Sequence, residues 1–207
     1  MSRSVAVLET RGMASLVAAS DAMLKVANVQ LIGKHGIGSG WLTVAVEGDI
    51  ADVEAAINTG KIEAERFGEL INTEFIPNLS PDANKLMPHL DSFVGSFGSR
   101  DNRAIGIIET QNLSPLIIAT DEMVKSADVE LDGWGFVGGA LCYTVVRGDT
   151  ASVQTAISIG RQAGESIGSV YSALVISQPE NTTNSLLPSM PEQNSQHSFG
   201  ALGVVES

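Results

Sequence analysis

Short apolar runs and helical stripes alternate along the chain in an order that names its elements. Val5 to Glu9 is an apolar run suited to a buried strand, and Leu16, Ala19, Met23, Val26 and Ala27 then fall three and four apart, which predicts an amphipathic helix. Val29 to Ile32 and Trp41 to Glu47 read as strands on either side of a glycine-rich loop. Gly48-Asp49 supplies a turn and an N-cap acceptor. Val53, Ala56, Ile57, Gly60, Ala64 and Phe67 then form the stripe of a second helix, and Leu70 to Ile76 a last strand. The order strand, helix, strand, strand, helix, strand predicts an α+β unit of the ferredoxin-like, split βαβ kind.

The same pattern returns one hundred residues later without a gap. Leu16, Ala19, Asp21, Met23, Lys25, Ala27, Val29 and Leu31 are matched by Leu116, Ala119, Asp121, Met123, Lys125, Ala127, Val129 and Leu131. Gly48, Asp49, Val53, Ala56, Ile57 and Gly60 are matched by Gly148, Asp149, Val153, Ala156, Ile157 and Gly160. About one position in three is identical from Arg3 to Ile76, beyond chance for an ungapped match. The second copy therefore predicts strands at Ile105 to Glu109, Val129 to Leu131, Leu141 to Arg147 and Ser172 to Ile176. The chain divides into a first domain over 1–90, a Gly- and Ser-rich linker over 91–102, a second domain over 103–179 and a polar, mobile tail over 180–207. Within that tail Ala201 to Ser207 repeats the pattern of Ala104 to Thr110, a surplus first-strand segment.

Composition narrows the function. The 207 residues are 43% hydrophobic and 5% aromatic with 21 glycines, so the interior is built of small aliphatic side chains in close contact. Twelve Lys and Arg stand against 24 Asp and Glu, a net charge of −12, which argues against nucleic acid and anionic membranes as partners. No apolar stretch is long enough to span a bilayer, and the first ten residues make a poor secretory signal, so the expected location is cytoplasmic. Cys142 stands alone in an apolar run, which rules out an intrachain disulfide, and His35, His89 and His197 lack metal-ligand spacing. Glu9 and Glu109 recur at a strand end as structural rather than catalytic carboxylates. No catalytic constellation, phosphate loop or dinucleotide turn can be assembled. The chain is expected to hold no metal or cofactor and to be no enzyme.

Several of these pieces together carry a resemblance. Ile105-Gly-Ile-Ile-Glu-Thr110 and its counterpart Val5 to Thr10, Asp21 to Val29, Ile37-Gly-Ser-Gly40 and Val46-Glu-Gly-Asp-Ile50 resemble, in this order and spacing, the bacterial microcompartment shell domain. The double occurrence is similar to the tandem-domain, trimer-forming class, including that of propanediol-utilisation compartments. The resemblance implies a homotrimer whose six domains form a flat pseudohexameric tile, joining other shell proteins around enzymes. It also implies a central pore for a small metabolite, lined by Gly36, Ile37, Gly38, Ser39 and Gly40 of one copy and Phe136, Val137, Gly138 and Gly139 of the other. Lys25 and Lys125 correspond to a tile-edge lysine, although each also sits four residues after an aspartate, an ordinary helix-surface pair. Lys34 and His35 read as solvated residues, with positive charge near the pore mouth as the alternative.

Two departures from the family pattern stand out. Where a cluster-binding relative of this class carries a cysteine in the first pore loop, this chain has Gly38, so no iron–sulfur cluster is expected. The family's arginine between prolines after the last strand is also missing, with Ile76-Pro77-Asn78 and Ser177-Gln178-Pro179 in its place. The alternative reading is a free-standing trimeric protein that binds a small molecule or regulates, with its site in the clefts between subunits.

Overall fold

The computed structural model describes residues 4–77, 79 and 102–187. The first unit runs β1 (Ser4–Arg11), α1 (Met13–Val26), β2 (Gln30–Gly38), β3 (Trp41–Gly48), α2 (Ile50–Phe67) and β4 (Glu69–Ile76). The second runs β5 (Ala104–Gln111), α3 (Leu113–Ser126), β6 (Val129–Gly138), β7 (Leu141–Gly148), α4 (Thr150–Glu165) and β8 (Ser169–Ile176), followed by a 3-10 helix, Asn181–Leu186. The two sheets have the orders β2-β3-β1-β4 and β6-β7-β5-β8, each antiparallel throughout. This is the α+β arrangement expected from the element order, formed twice.

The repeat extends to register. Leu8 pairs with Val44 as Ile108 pairs with Thr144, and the β1–β4 ladder shifts after Glu9 where the β5–β8 ladder shifts after Glu109. Alternation along a strand sends successive side chains to opposite faces. Ala6, Leu8, Val44 and Val46 accordingly share a buried cluster with Leu16, Ala19, Met23, Val53, Ala56 and Ile57. In the second unit Ala104, Ile108, Cys142 and Val146 do the same with Leu116, Ala119, Met123, Val153, Ala156 and Ile157.

The other face of the second sheet belongs to the first domain. Ile105, Ile107, Tyr143, Val145, Leu174 and Ile176 join the cluster that contains Met13, Leu16 and Val17 of α1, so that helix is covered on two sides. Each buried aliphatic side chain contributes roughly 1.5–3 kcal/mol. The first domain's cluster thus extends onto one face of the second sheet, while the second domain's own core is a separate cluster on the other face.

Three expectations need correction. The stretch read as a loop, Gly36 to Gly40, is mostly strand: β2 continues through Gly38 and only Ser39-Gly40 separates it from β3. Asp149 caps α4, accepting from the amides of Ala151 and Ser152 at 3.0 Å each, whereas Asp49 makes no such bond to α2. The start of the predicted mobile tail is a 3-10 helix whose Thr183 and Leu186 are buried, as is Leu187 just after it. The predicted linker, His89, His197 and the segment Ala201 to Ser207 lie outside the described residues.

Candidate functional site

The hairpin tips of the two domains meet. Ser39 and Gly40 have φ of 54° and 85°, and Gly139 and Ala140 have 59° and 64°. Two successive residues in the left-handed region make the tight primed turn that matches strand twist. Each tip is tied to the start of its own domain's first helix, by Gly12 N donating to Gly40 O at 2.9 Å and by Asn112 N donating to Ala140 O at 2.8 Å. Across the domains, a Cβ placed on Gly139 would lie 2.9 Å from the Ser39 carbonyl oxygen, and one on Gly40 would lie 3.2 Å from the Gly138 carbonyl. Glycine is therefore needed at 139 both for its backbone conformation and for the approach of a second backbone.

Of the predicted pore residues, Ser39, Gly40, Gly138 and Gly139 are thus brought together across the two domains. Gly36, Gly38, Ser39 and Gly139 are exposed, Gly40 is buried, and Val137 and Gly138 are half-buried. Phe136 is 63% exposed and packs edge-on against Trp134, with ring centroids 5.3 Å apart. The side chain of Ile37 lies outside the described residues.

Lys34 is buried rather than solvent-facing. It is 8% exposed, with Nζ donating to the Leu186 carbonyl at 2.7 Å, and burial lowers its pKa to about 8. The 3-10 helix that covers it was not predicted, because its polar composition resembles a tail. His35 is exposed. Lys25 Nζ contacts Asp21 Oδ2 at 2.5 Å, and Lys125 pairs likewise with Asp121, raising the Lys125 pKa. The two pairs differ in setting: the Asp21 side chain is 8% exposed and the Asp121 side chain 46%. Asp21 is covered because its Oδ1 also accepts from Glu180 N at 2.8 Å and Thr183 Oγ1 at 3.4 Å.

Glu109 links the domains. Its carboxylate accepts from Met13 N at 2.7 Å and Ala14 N at 3.4 Å, the first turn of α1, where unpaired amides and the helix dipole favour negative charge. It is fully buried, and desolvation outweighs those two bonds, lifting its pKa to about 7. Beside it, burial foremost and the Glu109 charge second raise the Tyr143 pKa. Glu9, its counterpart one hundred residues earlier, is half-buried and accepts from Thr43 Oγ1 at 3.3 Å.

A carboxyl whose pKa rises on folding binds its proton more tightly in the native state, so its contribution to stability is complete below about pH 4.5 and is lost as pH rises toward 7. Stability is expected to fall by about 2–3 kcal/mol between pH 4.5 and 8 on this account. Urea denaturation across that range checks it. Glu109→Gln flattens the slope, and an unchanged slope in the variant assigns the effect to another group.

Arg147 is a buried charged residue that the sequence did not flag. It is 2% exposed, its Nε donates to Asp132 Oδ2 at 2.6 Å and an NH2 donates to Asn184 Oδ1 at 2.7 Å, so it fastens the 3-10 helix to the second sheet. Cys142 is buried, with its thiol 3.0 Å from the Asn112 carbonyl. Among the described residues there is no group of three or more His, Cys, Asp or Glu side chains placed to hold a metal ion. No described helix is long and apolar enough to cross a membrane.

The BMC domain model matches residues 4–79 and 104–179, both units and most of the chain. The chain belongs to the BMC domain family. Among curated members it is 36% identical over 179 residues to the carboxysome assembly protein CcmO of a Synechocystis species, covering 84% of this chain and 60% of that protein. It is 31% identical over 185 residues to the bacterial microcompartment shell protein PduT of Citrobacter freundii, covering 88% of this chain and 96% of that protein. One domain's length, 85 residues, is 41% identical to the shell protein EutM of Salmonella typhimurium. The chain therefore spans three fifths of the CcmO relative and nearly all of PduT. Two BMC domains in one chain are shared with the tandem reading of the sequence.

Proposed function

We propose that the chain is a structural tile of a bacterial microcompartment shell, a homotrimer whose six BMC domains close a ring around a pore, with no catalysis of its own. One observation carries this reading: within the chain, α1 of the first domain is buried against the second domain's sheet, while among the described residues the equivalent surfaces at the two open ends have no such cover. On α3, Leu113, Ile117 and Ile118 are 43%, 56% and 36% exposed, where their counterparts Met13, Val17 and Ala18 are 1%, 0% and 5% exposed. On the first sheet, Asn72 and Glu74 are exposed and Val7 and Ile76 half-buried, where Ser172, Leu174, Ile107 and Ile176 are buried. A helix face at one end and a sheet face at the other form a heterologous contact, which closes into a ring when the rotation permits. Two pseudo-equivalent domains per chain and three chains complete a sixfold circuit.

In such a ring the hairpin tips, already paired within the chain at Ser39, Gly40, Gly138 and Gly139, converge on the axis. Gly36 to Gly40 and Phe136 to Gly139 then line a passage for a small polar metabolite, with the glycines admitting crowded backbones and Ser39 adding a hydroxyl. Lys25 and Lys125 lie on outward helix faces as tile-edge contacts to other shell proteins. The names of the carboxysome assembly and microcompartment shell relatives support the shell role and a location in the shell of a microcompartment.

Co-expression with a single-domain shell protein tests the role. The chain is expected to co-purify with assembled shells, and Lys25→Asp/Lys125→Asp to stay trimeric but drop out of them. Wild-type trimers that never enter shells contradict it.

A further inference from the structure

We infer that an apolar groove on the second domain receives Asn84 to Pro88 of a neighbouring copy of the chain. The groove, about 430 Å³, is walled by Leu113, Leu116, Ile117, Thr120, Leu131 and Trp134. Its walls are open: Ile117 and Trp134 are 56% and 50% exposed. The same place on the first domain is already filled. There the 3-10 helix lies over α1 and β2, with Leu186 and Leu187 in one cluster with Met13, Leu16 and Val17. Its ends are pinned by Asp21, which accepts from Glu180 N, and by Lys34, which donates to the Leu186 carbonyl.

The occupant has a twin in the sequence. Asn184-Ser-Leu-Leu-Pro188 is preceded at the one-hundred-residue offset by Asn84-Lys-Leu-Met-Pro88. Leu186 follows the last strand residue Ile176 at the same spacing at which Leu86 follows Ile76, so the tethers are equal in length. The receiving groove keeps Asp121 at the place of Asp21, ready for the Ser80 amide as Asp21 holds that of Glu180. Where Arg147 donates to Asn184, the first domain has Glu47, and an asparagine amide serves either partner because it both donates and accepts. Leu86 and Met87 supply the apolar pair that the groove lacks.

Direction decides whose segment it is. The extension of the second domain reaches back onto the first domain of its own chain, so the extension of a first domain reaches back onto the second domain of the preceding copy. This step rests on the trimeric ring.

Ala83→Cys/Asp121→Cys in the full chain tests the proposal, because its counterpart pair, Thr183 and Asp21, has side-chain oxygens 3.4 Å apart. Mild oxidation is expected to give a species of three chain masses on non-reducing denaturing gels, reverting to one chain on reduction. Native mass is measured in parallel. A native trimer without the cross-link overturns the docking and leaves the ring standing, and a closed disulfide within single chains overturns docking between copies. A native monomer overturns both.

A second readout does not depend on disulfide geometry. In a Trp41→Phe background Trp134 is the remaining tryptophan, and adding Leu86→Asp/Met87→Asp is expected to raise its acrylamide quenching on the order of twofold as the ring is uncovered. Unchanged quenching in a chain that is still trimeric overturns the proposal.

Discussion

Ile118→Asp is expected to leave the chain folded and to abolish its assembly. The side chain is 36% exposed on a single chain, so the substitution itself costs the fold little, within the range of surface changes. Its counterpart Ala18 shares a cleft with Leu174 and Ile176 of β8, which places Ile118 opposite Glu74 and Ile76 of a neighbouring copy in the ring. Aspartate there buries a carboxylate beside another carboxylate with no partner, a cost of several kcal/mol at each of three equivalent contacts. Assembly is expected to weaken by more than about a hundredfold, which corresponds to about 3 kcal/mol. Sedimentation at micromolar concentration reads it, with circular dichroism confirming the fold; an unaltered trimer places this face outside the interface.

Arg147→Leu carries the second large effect, on stability. Arg147 joins Asp132, whose side chain is 14% exposed, to Asn184 on the 3-10 helix, so its loss leaves one charge and one amide oxygen without their donor in a nearly dry site. Removing one partner of a buried ion pair costs about 3–5 kcal/mol. The urea midpoint is expected to fall accordingly, and exchange of the amides over Asn181–Leu187 to quicken more than that of α2. Arg147→Leu combined with Asp132→Leu recovers part of the loss, because the second change removes the stranded carboxylate. A single variant that unfolds at the wild-type midpoint removes the pair from the account.

Local pattern revealed most of each domain and little of how the domains meet. The ungapped repeat gave both copies, and periodicity gave every strand and helix within the two units. The glycine-rich hairpin was misread because Gly33, Gly36 and Gly38 weaken a strand signal, yet neighbouring β3 and β7 supply ladders that override local propensity. Glu9 and Glu109 look alike in sequence and live differently, since only Glu109 finds a helix start from the other domain, 96 residues away. Lys34 likewise reads as a solvated lysine until the 3-10 helix covers it from 152 residues along. One signal for that helix was present: the Asn-x-Leu-x-Pro pattern at 84–88 and 184–188 repeats at the offset that defines the domains, and a repeated apolar pair inside a polar stretch marks a segment with something to bury.

The ring is the central claim, because the pore, the tile and the groove between copies all depend on it. Native mass spectrometry of the wild-type chain at micromolar concentration tests it most directly. With a chain mass of 21.6 kDa, the account predicts a species near three times that value, about 65 kDa, persisting on dilution. A species at 21.6 kDa contradicts it, leaving the exposed faces of α3 and the first sheet without the partners that their buried counterparts have.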